Sequence, residues 1–310
     1  MKKGLCAIWI SLALVTSAYP SAASLQKKQR ATRHFDFYFD PSIEPSISGL
    51  IARSESHRAS ILRDLGEREL GRTRVIMTHD FDDFRTVQPR GFRALEWMAA
   101  VAFPSRNLVV IRADARLLPQ IDQTFLHEFS HIALMRSFPR ARLPHWFIEG
   151  FAELQAKEFS LEQMRQFLGH AVGGTLYPLA ELDHRFPSHH RQVSLAYAQS
   201  SVFVAWLKRR GGTGGFRKLW AEMARGASFH FALQRAYGTT LDALETEWRR
   251  ELTSLSSGYL FTGELALWGL IALLFVYVGW HSFRRRRHAL SEIPHAGDED
   301  DQEVVILRPH

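Results

Sequence analysis

The chain of 310 residues is 46% hydrophobic and 23% charged, which excludes a mostly disordered or fibrous protein. It has 39 lysine and arginine residues against 32 aspartates and glutamates, and the net charge of +7 is too small to indicate a nucleic-acid partner. Cys6 is the only cysteine, so disulfide frameworks and cysteine-ligated metal sites are excluded. Any bound metal would need ligands from His, Asp or Glu.

The first residues of the chain have the pattern of a signal peptide. Lys2 and Lys3 precede an apolar run over 4–15 that is too short to span a bilayer. The small residues that follow place a signal-peptidase cleavage after Ala23. We therefore predict a signal peptide over 1–23, with an uncleaved N-terminal anchor as the alternative.

A second apolar segment lies near the C-terminus. Residues 265–283 contain no Asp, Glu, Lys or Arg, and the segment is close to the ~20 residues that a membrane-spanning helix needs. The four arginines that follow, 284–287, predict a cytoplasmic end. We predict a transmembrane segment over 259–283, in contact with membrane lipid, and a cytoplasmic tail over 284–310. The alternative is a buried core helix.

These segments predict a single-pass protein of the inner (plasma) membrane. Its ectodomain, residues 24–258, would face the periplasm or the exterior. Phenylalanines alternate over 34–39, which predicts a half-buried strand, and helical spacing of apolar residues predicts a helix over 45–65. Short β-branched runs over 74–78 and 107–112 predict two further strands. This order predicts a small sheet with helices packed on it.

From residue 120 onward, the spacing of apolar residues is that of helices. Helices are predicted over 120–137, from 144 through 154, and over 194–209, 216–223, 229–237 and 241–252. Gly211 and Gly212 are predicted to end the 194–209 helix, and the polar segment 173–191 to form a loop. The predicted fold class is therefore α+β: a small N-terminal sheet-containing lobe, a helical lobe and one C-terminal transmembrane helix. A cleft between the two lobes is the expected place for a site.

The sequence His-Glu-Phe-Ser-His lies within the helix predicted over 120–137. Two histidines four residues apart, His127 and His131, project from one face of a helix, where both imidazoles can reach one zinc ion. Glu128 lies beside them and can reach a water molecule instead of the metal. A catalytic zinc usually has a third protein ligand, so another His, Asp or Glu is needed.

The segment PHWFIEGFAE, residues 144–153, offers candidates for that ligand. Glu149 and Glu153 lie one turn apart among apolar residues, and carboxylates there are costly to bury without a cation or metal. His145 precedes the helix that carries Glu149, and we interpret it as a structural residue.

The segments HEFSH, LPHWFIEGFAE and LAYAQSSVFVAWL together resemble the gluzincin metallopeptidases of the peptidase MA clan, over roughly residues 120–210. This resemblance implies a zinc metallopeptidase in which His127, His131 and Glu149 ligate Zn²⁺. It also implies that Glu128 is the general base that takes a proton from the zinc-bound water.

The resemblance extends to residues around the ligands. It implies that Glu153 orients a ligating histidine and that Tyr197 stabilises the oxyanion of the transition state. It further implies that the strand over 107–112 pairs, as a sheet edge, with an extended peptide or protein substrate.

The predicted function is therefore that of a membrane-anchored zinc-dependent peptidase. The alternative is a catalytically silent zinc-binding module of an envelope assembly, but Glu128 favours the enzyme because a silent module has no need of a base. An intramembrane metalloprotease is disfavoured because polar residues such as Asp122 and Arg136 flank the HEFSH motif.

Overall fold

The structure is a computed structural model that describes residues 28–66, 69–156, 161–184, 186–187 and 190–254. The predicted signal peptide (1–23), transmembrane segment (259–283) and tail (284–310) lie outside these residues. Within the described ranges, no helix combines the length and the apolar character needed to cross a bilayer.

Five strands form one mixed sheet in the order β1-β2-β3-β5-β4. They are β1 (Lys28–Ala31), β2 (Phe35–Phe39), β3 (Thr73–Thr78), β4 (Ala100–Phe103) and β5 (Leu108–Arg112). The central strands β2, β3 and β5 run parallel, and β1 and β4 each run antiparallel to their neighbour. The three predicted strands are confirmed as β2, β3 and β5.

The prediction that the strand over 107–112 forms a sheet edge is wrong. This strand, β5, pairs with β3 on one side and with β4 on the other, so β4 is the edge strand. The sequence of β4 lacks an alternating pattern because both of its faces are buried. Ala100 and Ala102 face one apolar cluster, and Val101 faces another. A strand buried on both sides shows no polar–apolar alternation.

The described helices are α1 (Glu44–Leu65), α2 (Phe81–Thr86), α3 (Ile121–Ser137), α4 (His145–Ala156), α5 (Leu161–Val172), α6 (Leu179–His184), α7 (His190–Ala224), α8 (Phe229–Tyr237) and α9 (241–254). Helices α1 and α3 cover one face of the sheet, and α2 packs on the other. Helices α4, α7 and α8 pack on one another beside α3. The described fold is therefore mixed α+β, with an N-terminal sheet followed by a mostly helical part.

The predicted end of a helix at Gly211 and Gly212 is confirmed, because the span of α7 consists of two helices joined across a kink at Gly212. Gly212 has a left-handed backbone with φ of 54°, which favours glycine. Tyr237 of α8 fills the space beside the bend, because a Cβ on Gly211 would lie 3.0 Å from its ring. The Tyr237 hydroxyl donates a hydrogen bond of 3.0 Å to the carbonyl of Leu207. The bend is therefore held by contacts that sequence spacing does not reveal.

The segment predicted as a loop, 173–191, contains the short helix α6. Leu179 and Leu182 of this helix are fully buried and anchor it to the core. The backbone of Tyr177, just before α6, is bonded through both its N–H and its carbonyl to the buried side chain of Gln199 on α7. Two buried leucines in a polar context are too few to show a helical period.

Candidate metal centre

Helix α3 places two phenylalanines on one face and two histidines on the other. The rings of Phe125 and Phe129 pack edge-on against Phe35 of β2, with centroid separations of 5.4 and 5.0 Å. His127 and His131 each follow a phenylalanine by two residues, which is ~200° around the helix. Packing on the sheet therefore turns both imidazoles towards the helical part of the molecule.

Helix α4 repeats this arrangement. The rings of Phe147 and Phe151 pack against Trp220 of α7, with centroid separations of 6.0 and 6.2 Å. Glu149 lies midway between them in sequence and therefore on the opposite face, which packs on α3. The same spacing of aromatic and polar residues thus directs the carboxylate of α4 towards the imidazoles of α3.

The position of α4 depends on a close approach to α7. A Cβ atom on Gly150 would lie 2.5 Å from the carbonyl oxygen of Ser200 and 2.9 Å from Cγ2 of Val204. No side chain fits in that space without displacing a helix backbone. Glycine beside Glu149 therefore allows α4 to sit at the depth that brings its carboxylate to the histidines.

The three predicted ligands come together. Oε2 of Glu149 lies 3.6 Å from Nε2 of His127 and 3.8 Å from Nε2 of His131. One potential ligand atom from each residue lies within 4.8 Å of the other two. The three side chains are at most 4% exposed.

These residues fit a metal ion in two respects. First, no described residue is hydrogen-bonded to either ring nitrogen of the buried His131, and such buried polar atoms are costly. Second, tetrahedral ligation at 2.0–2.1 Å separates ligand atoms by about 3.3 Å, which is close to the observed 3.6 and 3.8 Å. The triad could therefore hold a metal ion with little rearrangement.

Electrostatics favour the ligating forms of these groups. Burial lowers the pKa of the His131 imidazole to about 3, so the ring is neutral at physiological pH and offers a lone pair. Burial alone would raise the pKa of Glu149, but the surrounding imidazoles of His131, His127 and His145 hold it below its ordinary value. The carboxylate is therefore ionised.

Two further glutamates lie close to the triad. Glu128 follows His127 in sequence and is fully buried. Oε1 of Glu153 lies 3.9 Å from Nδ1 of His127, whereas Glu149 faces Nε2 of the same ring. Glu153 thus lies on the side of the imidazole away from Glu149, which is where a residue that orients this ring would be. The catalytic role of Glu128 stays a prediction.

Tyr197 is connected to the triad through other aromatic rings. It is 5% exposed, and its ring lies 5.0 Å from that of Phe186. Phe186 in turn packs edge-on against His145, at 4.5 Å. The role predicted for the Tyr197 hydroxyl stays a prediction.

His145 is a site residue that the sequence interpretation missed. It is the first residue of α4 and does not precede the helix, and its Nε2 lies 3.3 Å from Oε1 of Glu149. Burial alone would lower the pKa of His145, but the carboxylates of Glu149 and Asp183 raise it. A signal was present, because His145 and Glu149 have the same four-residue spacing as His127 and His131.

The sequence profile of the Peptidase MA superfamily matches residues 79–254, which is more than half of the chain. This range contains β4, β5, all three residues of the triad and every described helix after α1. No curated protein matches the chain significantly.

Among solved structures, the chain is similar to that of yeast LTA4 hydrolase in complex with bestatin. The match has 14% sequence identity and a TM-score of 0.38, and it covers 77% of this chain and 37% of that chain. This chain therefore spans little more than a third of the length of that protein.

Proposed function

The chain belongs to the peptidase MA superfamily, and on this premise we propose that it is a zinc-dependent peptidase of the gluzincin type. The observation that carries the proposal is the buried triad of His127, His131 and Glu149. Two imidazoles and one carboxylate are one of the ligand sets of catalytic zinc sites, which keep a fourth position open.

Zinc bound by the triad would polarise the scissile carbonyl and lower the pKa of a water molecule that it coordinates. Glu128 is the proposed general base: its carboxylate accepts a proton from the attacking water and returns it to the leaving amine. Its position supports this role, because Glu128 is fully buried directly beside the first proposed ligand, His127.

The proposed binding surface for the substrate backbone is the edge of β4 opposite β5, with which none of the described strands pairs. The N–H of Arg112 donates to the carbonyl of Ala99, so in this antiparallel pair Val101 also bonds towards β5. The backbone groups of Ala100 and Ala102 then point away from β5, where an extended peptide can pair with them. Their side chains belong to the apolar cluster that includes α3.

Two residues complete the proposed machinery. Glu153 orients the imidazole of His127 through Nδ1, as its separation of 3.9 Å supports. The Tyr197 hydroxyl donates a hydrogen bond to the developing oxyanion, so a Tyr197→Phe variant should keep its zinc and lose ~10²–10³-fold in kcat. We propose in addition that the apolar segment 265–283 anchors the protein in the membrane.

The decisive experiment replaces Glu128 with Gln, which removes the base and leaves all three ligands in place. We expect a full equivalent of zinc and a fall of about 10²–10⁴-fold in the cleavage of a mixture of unstructured peptides, followed by mass spectrometry. Glu69→Gln, at an exposed position, is the matched control and should cleave like the unmodified protein.

The outcomes separate the candidate functions. Full activity in the Glu128→Gln variant would contradict the proposed mechanism. A protein that binds zinc tightly and cleaves no peptide, with or without Glu128, would be the silent zinc-binding module.

A further inference from the structure

The two carboxylate oxygens of Glu149 have different surroundings. Oε2 faces the Nε2 atoms of His127 and His131, at 3.6 and 3.8 Å. Oε1 lies 3.3 Å from Nε2 of a third imidazole, that of His145. One oxygen is therefore directed to the centre of the triad, and the other is directed to a neighbour at an ion-pair separation.

His145 does not have the position of a fourth ligand. The described group of residues whose ligand atoms lie within 4.8 Å of one another contains His127, His131 and Glu149, but not His145. The His145 side chain is also 28% exposed, whereas the side chains of the triad are at most 4% exposed. It lies at the rim of the site and contacts one ligand from outside.

His145 is held in place by α6 and by the residues just before and just after it. Its backbone N–H donates a hydrogen bond of 3.0 Å to Oδ1 of Asp183, which fixes the first residue of α4. The ring of Phe186 packs edge-on against the imidazole, with 4.5 Å between centroids. The segment is anchored in turn by Gln199, which binds the backbone of Tyr177. An imidazole fixed in this way can hold the group that it faces.

We infer that His145 is a positioning residue that holds Oε1 of Glu149, so that the carboxylate offers only Oε2 to the metal. A carboxylate can bind a cation through one oxygen or through both. Binding through both would bring a second oxygen to the metal beside the water or substrate at the fourth position, and the metal would then have five ligands and not four. This inference rests on the proposed zinc site and adds to it the reason why Glu149 binds through one oxygen.

The test compares zinc affinity in three variants of the full chain, measured by competition with a chromophoric chelator. His145→Leu keeps an apolar group against Phe186 and removes the ring nitrogen, and we expect it to weaken zinc binding by about 10–100-fold. His145→Gln keeps an N–H that can reach Glu149 and should restore most of the affinity. His230→Leu is the matched control, because His230 is an exposed histidine in the first turn of α8.

Cobalt provides a readout that a purely structural role would not change. Co²⁺ bound in place of zinc absorbs visible light strongly with four ligands and more weakly with five. The His145→Leu variant should therefore show weaker absorption per bound cobalt, because Glu149 is then free to bind through both oxygens. The His145→Gln spectrum should match that of the unmodified protein. If His145→Leu fails to fold, His145→Asn replaces it, since its amide is too short to reach Glu149.

The results separate this inference from the proposed function. Unchanged zinc affinity and an unchanged cobalt spectrum in a folded variant that lacks the ring nitrogen would overturn the role of His145 alone. An unmodified protein that takes up neither zinc nor cobalt would overturn the zinc site and the role of His145 together.

Discussion

Helix α3 contributes to two clusters of histidine and carboxylate that differ in spacing. In its first turn, Asp122 lies 2.9 Å from Nε2 of His57 and 2.6 Å from Nη2 of Arg53, and its side chain is 32% exposed. Between one and three turns later, His127 and His131 remain 3.6 and 3.8 Å from Glu149 in a buried site. The surface cluster is closed by direct hydrogen bonds, and the buried one leaves room for an ion.

The difference shows how the fold keeps the buried cluster open. His57 and Arg53 come from α1, and the long, exposed side chain of Arg53 can turn until it meets Asp122. The ligands of the buried cluster cannot turn in this way, because packed phenylalanines fix the opposite faces of both helices. Buried imidazoles and carboxylates that stay too far apart for hydrogen bonds therefore indicate a site for a metal ion. Imidazoles and carboxylates at hydrogen-bond distance indicate an ion pair that needs no further ligand.

The largest expected effect comes from removing a ligand of the open cluster. His131→Ala should weaken zinc binding by far more than the ~100-fold that an indirect partner is worth. His57→Ala, its counterpart in the closed cluster, should leave zinc affinity unchanged. Metal analysis and chelator competition measure both.

A second readout tests the same contrast. Zinc should raise the thermal midpoint of the unmodified protein and of the His57→Ala variant, because a ligand that binds only the folded state stabilises it. It should have little effect on the His131→Ala variant. Equal zinc affinity in the His57→Ala and His131→Ala variants would contradict the distinction between the two clusters.

An intermediate effect, on the free energy of unfolding, is expected from a substitution that forces α4 away from α7. Gly150→Ala should lower the free energy of unfolding by about 1–3 kcal/mol, because the new methyl group overlaps the backbone at Ser200. Gly169→Ala is the control: it lies in α5 with no atom within 4 Å of the new Cβ, so its effect should be neutral or stabilising by up to ~1 kcal/mol. Urea unfolding of the metal-free proteins measures both. Equal stability of the two variants would show that α4 has room to shift.

The smallest effect is expected in the closed cluster. Burial alone would raise the pKa of Asp122, but its contacts with Arg53 and His57 lower it below the ordinary value. Its ionised form therefore stabilises the fold above the unfolded pKa of about 4, and this contribution is lost as the pH falls through the lower folded pKa. Because the site is partly exposed, Asp122→Asn should cost at most about 1 kcal/mol at pH 7.

The check is urea unfolding at pH 7 and again near pH 3, where the difference between Asp122→Asn and the unmodified protein should shrink. A difference that persists at low pH would mean that the carboxylate charge is not its source. Zinc affinity at pH 7 should be unchanged in this variant.

Periodicity in the sequence was sufficient to predict the elements that carry the ligands. The apolar spacing around His127 and around Glu149 predicts α3 and α4, and the alternation of phenylalanines predicts β2. Each of these elements has one apolar face in the core and a different kind of residue on its other face, so its period is visible in the sequence. Periodicity alone did not predict that Glu149 lies close to the two histidines. That prediction also needed the family resemblance.

Three of the elements that were missed, β1, β4 and α6, have no such period. The four residues of β1 (Lys28–Ala31) are all exposed, so only backbone pairing with β2 makes them a strand. β4 is buried on both faces, and α6 has two buried leucines among polar residues. The contact of His145 with Glu149 was missed because the start of α4 is set by Asp183, which is distant in sequence. Tertiary contacts determine all four features.

The tight contact at Gly150 also bears on the order of events during synthesis. A nascent chain that has emerged as far as residue 156 already contains His127, His131 and Glu149. It does not yet contain Ser200 and Val204, the residues of α7 against which α4 rests. The growing polypeptide therefore carries a complete set of ligands before it has a scaffold to arrange them. Any metal that this triad binds should then be acquired only after α7 has left the ribosome.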